Sequence, residues 1–323
     1  MNSNSKLYYQ LDKLSFQLGI RPKVKKCKIE KKNRFFGHFK GGLVISADFE
    51  MAWAFRYSKK TKNPEQMAKQ TRENFPFLIE QFDKYNIPIT WATVGHLFLE
   101  SCNKGDHDWM QRIPHFDDHW KFTDGDWYDH DPYGNYKKDP CWYAPDLIDM
   151  ILNAKVNHEI GCHTFSHIDF SDKNCPESVA VDEIKACVEV AYEHGLSYKS
   201  IVFPGGTYGN VEVVKNNNFS VYRRNCKEKL AYPYLDENGL IVTNSTQMLG
   251  VSNPAWSIDY HIYRYKRMIK KAIKTGTVCH LWFHPSDLSL QQILPKVLSY
   301  AREQNRKSNL WIGRMEDLSG LVK

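Results

Sequence analysis

Three groups of residues in this chain have types and spacings that suit chemistry. The first is Asp48 and Glu50, in the segment SADFE that closes the apolar run Leu43 to Ala47. On an extended strand residues i and i+2 share a face, so both carboxylates can aim at one point. An Asp at a strand end also serves as a helix cap or turn former. The second group is His163 and His167, in HEIGCHTFSH. Four residues apart in a helical turn just after a strand, the two imidazoles would face the same way and could hold one divalent ion; two satisfied surface histidines would read the same. The third is His284, with His280, in CHLWFHPSD. Both share one strand face, and Pro285 stops the strand straight after His284, which places His284 at the rim and His280 deeper, as a hydrogen-bonded core histidine. Carboxylate, His pair and late His, each at a strand exit, are the parts of a metal-assisted hydrolase. A divalent ion held by two His and a carboxylate polarises a carbonyl and lowers the pKa of a water. A second carboxylate can take the proton and a His can protonate the departing amine.

These groups need a frame that brings distant strand ends together, and the hydrophobic pattern supplies one. Helical periodicity over 64–85, 145–155, 176–194, 210–217, 258–274 and 289–304 alternates with short apolar runs at 43–47, 87–94, 158–162, 200–203, 220–222, 278–283 and 310–312. Strands that alternate with helices of this length imply parallel crossovers, and about seven such units predict a barrel or an open doubly wound sheet. The carboxyl ends of the strands are the edge where such folds place their sites. Residues 5–19 read as a weak amphipathic helix ahead of a basic segment, so 1–40 is expected to be an extension and 41–323 the catalytic-type domain.

One stretch breaks the alternation. Residues 101–143 hold ten aromatics, nine Asp and four His with little periodicity. A long segment of this kind inside a compact domain is usually functional. Aromatic faces among carboxylates suit stacking on sugar rings and bonding their hydroxyls, so Trp127, Trp142 and Tyr143 are candidate substrate contacts; an ordered cap packed on the domain would look the same. Gly205 and Gly206, in FPGGTYGN, let a backbone approach closely, and an N–H there could stabilise an oxyanion, as a plain turn could also look.

Composition narrows the class of protein. With 323 residues, 42% hydrophobic and 25% charged, the chain is neither disordered nor fibrous. It lacks an apolar run long enough to span a membrane and begins without a secretory h-region, which predicts a cytoplasmic protein. Eight scattered cysteines without a CxxC pair fit reduced packing thiols better than a disulfide framework or a Cys-type zinc site. The net charge of +7 is partly local: eight basic residues oppose only Glu30 between Arg21 and Arg34. That run reads as a solvated arm or a contact with an anionic membrane surface; without a nucleic-acid-binding motif beside it, no nucleic acid partner is expected.

In order, spacing and surrounding sequence, the motifs SADFE, TWATVGHLF, HEIGCHTFSH, FPGGTYGN and HLWFHP resemble the polysaccharide deacetylase family, the NodB-like carbohydrate esterases of family 4, from about Gly42 to about Leu318. The resemblance implies an α/β fold, a distorted (β/α) barrel of about seven parallel strands with an aromatic-rich insertion. It also implies a divalent ion, Zn2+ first with Co2+, Ni2+ or Mn2+ as alternatives, and removal of the acetyl group from an N-acetylated amino sugar. By the same resemblance Asp48 matches the base, His163 and His167 the metal pair, Glu50 a metal-binding carboxylate and His284 the general acid. Two departures stand out. The usual adjacent Asp pair is replaced by Asp48 and Phe49, so the third ligand is Glu50 or Asp48, with Glu50 favoured. The third-motif Arg that holds the base is missing from Val202-Phe203-Pro204-Gly205, and Arg223 or Arg224 is the substitute, or else both are ordinary surface arginines.

Overall fold

The computed structural model describes Leu14 and residues 37–55, 63–114, 133–225 and 230–322. The expected helix at 5–19, the basic segment 21–34 and Trp127 therefore lie outside the described residues, apart from Leu14.

Strand β1 (Gly41–Phe49) is the axis of the fold. It pairs in parallel with β11 (Val278–Phe283) on one side, and with both β12 (Leu310–Gly313) and β2 (Thr90–Thr93) on the other, β12 along its first half and β2 along its second. From β2 the parallel sheet continues through β5 (Glu159–Cys162), β6 (Ser200–Val202), β7 (Val221–Asn225) and β9 (Ile241–Ser245). After Thr246 the same segment becomes β10 (Gln247–Met248), which pairs with β11. The sheet thus curls until the β9–β10 segment joins its two ends, giving a distorted barrel of seven strands with β12 added beside β1. Two short antiparallel pairs sit outside it: β8 (Tyr234–Leu235) on β9, and β3 (Ser101–Cys102) with β4 (Gly134–Asn135) at the base of the aromatic-rich insertion.

The predicted helices are present with ends moved by a few residues. Pro64–Tyr85 starts on Asn63, whose side chain accepts from the Gln66 N–H, and stops at Asn86 in the left-handed region. Ile258–Thr275 starts on Ser257 and stops at Gly276, also left-handed. Such caps satisfy the orphan groups of helix ends. Two strand expectations need correction. Ile241–Ser245 was not anticipated, because only Ile241 and Val242 are apolar while Thr243, Asn244 and Ser245 are buried polar residues. The run expected at 220–222 extends to Asn225, which puts Arg223 inside a strand rather than beyond one.

The alternation along each strand sorts side chains between two environments. Leu43, Ile45, Ala47 and Phe49 join the large core under the helices, as do Cys279, Leu281 and Phe283 of β11. Facing the other way, Val44, Ala92, Val202, Val221, Ile241 and Val278 form a second cluster with Met315, Leu318 and Leu321 from the last segment of the chain. This apolar layer floors the barrel. Above it, on the same inward positions, come Ser46 and Asp48 of β1, Arg223 of β7, Thr243 of β9 and His280 of β11, with Glu50 just past the end of β1.

Glu159, at the start of β5, is buried and accepts from Thr90 Oγ1 (2.6 Å), Ser200 Oγ (2.6 Å) and the Glu316 N–H (3.1 Å), tying three strands to the terminal segment. Burial pushes its carboxyl from 4.5 up to about 7, against the pull of the two hydroxyls. The unfolded chain would lose this proton near the ordinary value while the folded chain keeps it, so stability falls as pH rises through that window and levels off above it. At about 1.4 kcal/mol per unit the effect is on the order of 3 kcal/mol. Urea unfolding at pH 5 and pH 8 should therefore show the wild type losing more stability than Glu159→Gln on going to pH 8; parallel losses would place the Glu159 pKa near its ordinary value.

Candidate active site

The rim above the apolar floor gathers the sequence-predicted residues. Glu50 lies at its centre, 5% exposed. Its Oε2 is 3.2 Å from His163 Nε2 and 2.9 Å from His167 Nε2, and its Oε1 is 3.2 Å from His284 Nε2. Burial alone would raise the Glu50 carboxyl, but the charges of His284 and His167 and the contacts with His163 and His167 hold it well below the usual range. His284 moves the other way: burial opposes its charging, and the Glu50 and Asp48 carboxylates outweigh that and raise it.

Asp48, two residues before Glu50 and on the same face, is kept apart from the imidazoles. Both its oxygens are taken by Arg223, with Nη1 at 2.6 Å from Oδ1 and Nη2 at 2.7 Å from Oδ2. Burial would raise this carboxyl, and the Arg223 guanidinium more than offsets it. Arg223 also donates to Ser46 Oγ (2.9 Å) and stacks its guanidinium 4.7 Å from the centre of the Trp282 ring. Ser46 Oγ in turn meets His280 Nε2 at 2.9 Å, whose Nδ1 faces Thr243 Oγ1 at 3.1 Å. His280 is the deep, hydrogen-bonded histidine expected, and burial together with the nearby Arg223 charge holds its pKa well below 6.5. The expectation of surface arginines holds for Arg224, which is exposed, and fails for Arg223, 4% exposed. Ser46, Thr243 and Trp282 were not singled out from sequence; the i, i+2 rule that picked Asp48 and Glu50 also reaches Ser46.

His163 and His167 converge, with ring centroids 4.9 Å apart, but not on a helical turn. Residues 163–167 form an irregular loop in which Thr164 (φ 59°) and His167 (φ 56°) are left-handed. Buried Glu183, which sequence reasoning missed, holds that loop: it accepts from the Phe165 and Ser166 N–H groups at 2.9 Å each and from the Ser166 hydroxyl. Gly95 packs against the same loop, its N–H donating to the Thr164 carbonyl, and a Cβ there would meet Phe165 Cδ2 at 2.9 Å.

The donor set suits a divalent ion. His163 Nδ1 sits 2.6 Å from the Val202 carbonyl, so that nitrogen carries the proton. In the neutral ring Nε2 then presents a lone pair to a lone pair of Glu50 Oε2, an arrangement that a cation between them resolves. Glu50, His163 and His167 place their donor atoms within 4.8 Å of one another. Asp48, committed to Arg223, is the weaker candidate for third ligand.

The substrate-contact candidates divide. Gly205 and Gly206 lie exposed in a turn after β6, both with positive φ, and the Gly206 N–H is spent on the Phe203 carbonyl. Trp142 is partly buried and packs edge-on to Trp53. Tyr143 is fully buried with its hydroxyl 2.9 Å from Cys102 Sγ, so the expectation that it faces substrate is corrected. A pocket of about 460 Å³ opens beside His284, lined by Phe55, Met67, Met248, Leu249 and Val251 among others.

This barrel recurs in solved structures. A Mycobacterium smegmatis protein classed as a polysaccharide deacetylase superposes with a TM-score of 0.59 at 13% identity, over 91% of this chain and 94% of its own. A probable polysaccharide deacetylase of Pseudomonas aeruginosa gives 0.58 at 12%, over 88% and 91%. The fold is that of the polysaccharide deacetylases. The PuuE allantoinase shares it as well, with a TM-score of 0.61 at 12% identity over 90% and 93% of the two chains. No family sequence model matches the chain, nor does any curated protein sequence.

Removing Arg223 would leave Asp48 buried without its counter-charge. Arg223→Met should therefore cost about 3–5 kcal/mol in urea unfolding, the usual result of breaking a buried pair, while Arg224→Met should stay within about 0.5 kcal/mol. Equal and small losses would show that Asp48 is not held this way.

Proposed function

We propose that the chain is a metal-dependent hydrolase that removes the N-acetyl group from an amino sugar, a precursor or unit of a surface polysaccharide. The observation that carries this reading is the separation of two neighbouring buried carboxylates, Glu50 among three imidazoles and Asp48 on Arg223. One carboxylate is set up as a ligand and the other as a base. Glu50, His163 and His167 would hold the ion, which supplies a Lewis acid that polarises the amide carbonyl and acidifies water.

The chain's own residues do the rest. Asp48 accepts the proton of the attacking water, and Arg223 keeps its carboxylate ionised and aimed at the rim. His284, raised by Glu50 and with its side chain 31% exposed, donates a proton to the departing nitrogen. Trp282, edge-on to His284 with centroids 5.3 Å apart, limits the rotation of that ring. The pocket beside His284 is the natural place for the part of the substrate beyond the reacting amide. A cytoplasmic setting agrees with six buried free cysteines among the described residues. There, too, no helix is long and apolar enough to cross a membrane.

The missing third-motif Arg would also suit a non-catalytic, sugar-binding protein of this fold, but Arg223 meets Asp48 from β7 in its place. A hydrolase of another amide is the second reading, because an allantoinase has this fold.

The test is acetate release from free, nucleotide-linked and lipid-linked N-acetyl amino sugars, alongside formate release from a formamido sugar and ring opening of a cyclic amide. Asp48→Asn should keep its metal and lose about 10²–10⁴ in turnover; His163→Ala with His167→Ala should lose both. Turnover unchanged in Asp48→Asn would refute the base, and turnover only on the cyclic amide would move the substrate class.

A further inference from the structure

A second cluster of metal-type donors lies outside the site above. His96, Cys102 and His107 come from the turn after β2 and the start of the insertion, and all three are buried at 0%, 8% and 5% exposure. One donor atom from each lies within 4.8 Å of the others. His96 Nε2 is 3.3 Å from Cys102 Sγ. A tetrahedral zinc ion with bonds of about 2.0–2.1 Å to nitrogen and about 2.3 Å to sulfur sets N···S edges of about 3.5 Å, so these two atoms already stand at ligand spacing.

The surroundings prepare both ligands. His96 Nδ1 lies 3.3 Å from the Trp142 carbonyl, which also accepts from Trp53 Nε1 at 3.0 Å. A backbone carbonyl behind one ring nitrogen is the usual device that fixes a metal-binding imidazole with its other nitrogen unprotonated. On the far side of the sulfur, the Tyr143 hydroxyl at 2.9 Å is placed to donate to a thiolate. A thiolate with two imidazoles is a donor set that favours zinc over magnesium or calcium.

We infer that His96, Cys102 and His107 form a second, structural metal site that binds zinc and pins the aromatic-rich insertion to the barrel. On binding, the Cys102 thiol gives its proton to solvent and the thiolate bonds the ion, with His96 Nε2 and a His107 ring nitrogen as neutral donors. The site abuts both loops of the candidate active site. The His96 ring packs 4.4 Å from Trp53, three residues after Glu50, and the His107 ring 4.9 Å from Phe165, between His163 and His167. The His96 N–H donates to the Phe165 carbonyl at 3.0 Å. This reassigns Cys102 from a packing thiol to a ligand.

The test is the metal content of the full chain loaded with zinc and desalted, followed by cobalt substitution. The wild type should retain about two equivalents, falling to one in Cys102→Ser with His107→Gln and to one in His163→Ala with His167→Ala. A near-ultraviolet thiolate-to-cobalt charge-transfer band should persist in the second double variant and vanish in the first. If the first does not fold, X-ray absorption at the zinc edge of the wild type decides, with a sulfur neighbour at about 2.3 Å expected. A shell of nitrogen and oxygen alone, or no sulfur-to-cobalt band in the wild type, overturns the inference. One equivalent with a sulfur neighbour supports it and counts instead against the ion at Glu50.

Discussion

Two largely buried carboxylates, two residues apart on one face, are the constraint on which the rest of this site depends. Asp48 and Glu50 are 4% and 5% exposed. Left alone, one of the two would stay protonated, because burial and like charge both penalise a second anion. The barrel prevents this by giving each its own partners from other strands and loops. β7 sends Arg223 to Asp48, and β5, its following loop and the end of β11 send His163, His167 and His284 to Glu50. Asp48 and Arg223 meet because both sit at inward positions of their strands, while His163 and His167 are placed by the loop after β5.

The strength of the Asp48 to Arg223 pair depends in turn on what surrounds the guanidinium. Of the N–H donors of the buried Arg223, the bidentate carboxylate takes one from each Nη, and Nε has no hydrogen-bond partner among the described residues. Ser46 takes a further bond, and the face of the guanidinium lies on Trp282. His280 stays neutral beside it, since a charged imidazole would repel Arg223 and is disfavoured by burial as well. A deep histidine that looked like a simple core residue thus completes the chain that orients the base, through the Ser46 hydroxyl, without touching the rim.

How much of this the sequence disclosed follows from the range over which each feature is determined. Asp48, Glu50 and His284 were legible because strand periodicity and a stopping proline are local. The His pair was legible as a pair, yet the helical turn assigned to it was wrong, since the left-handed Thr164 and His167 are imposed by Glu183 and Gly95 from elsewhere in the chain. Arg223 stood open between a substitute for the missing Arg and a surface residue because it lies past the apolar part of a short strand, and only closure of the sheet through β9 shows that its side faces inward. That closing strand was itself invisible: above the floor residue Ile241 its buried residues Thr243, Asn244 and Ser245 are polar, so the apolar signal that marks a strand is suppressed near the site.

The insertion shows the same effect from the other direction. Its aromatic and acidic content suggested a surface that meets a substrate, but in the described portions near its base three aromatics turn inward while Tyr133 is exposed. Tyr143, Trp142 and Trp109 pack on the barrel, and Trp109 Nε1 donates at 2.9 Å to the same Glu183 that holds the histidine loop. Glu183 therefore couples the insertion, through one carboxylate, to the backbone between His163 and His167. An insertion tied in at that point is more than a cover: by fixing where Phe165 and Ser166 lie, it sets where the two imidazoles converge, and so the shape of the space around Glu50.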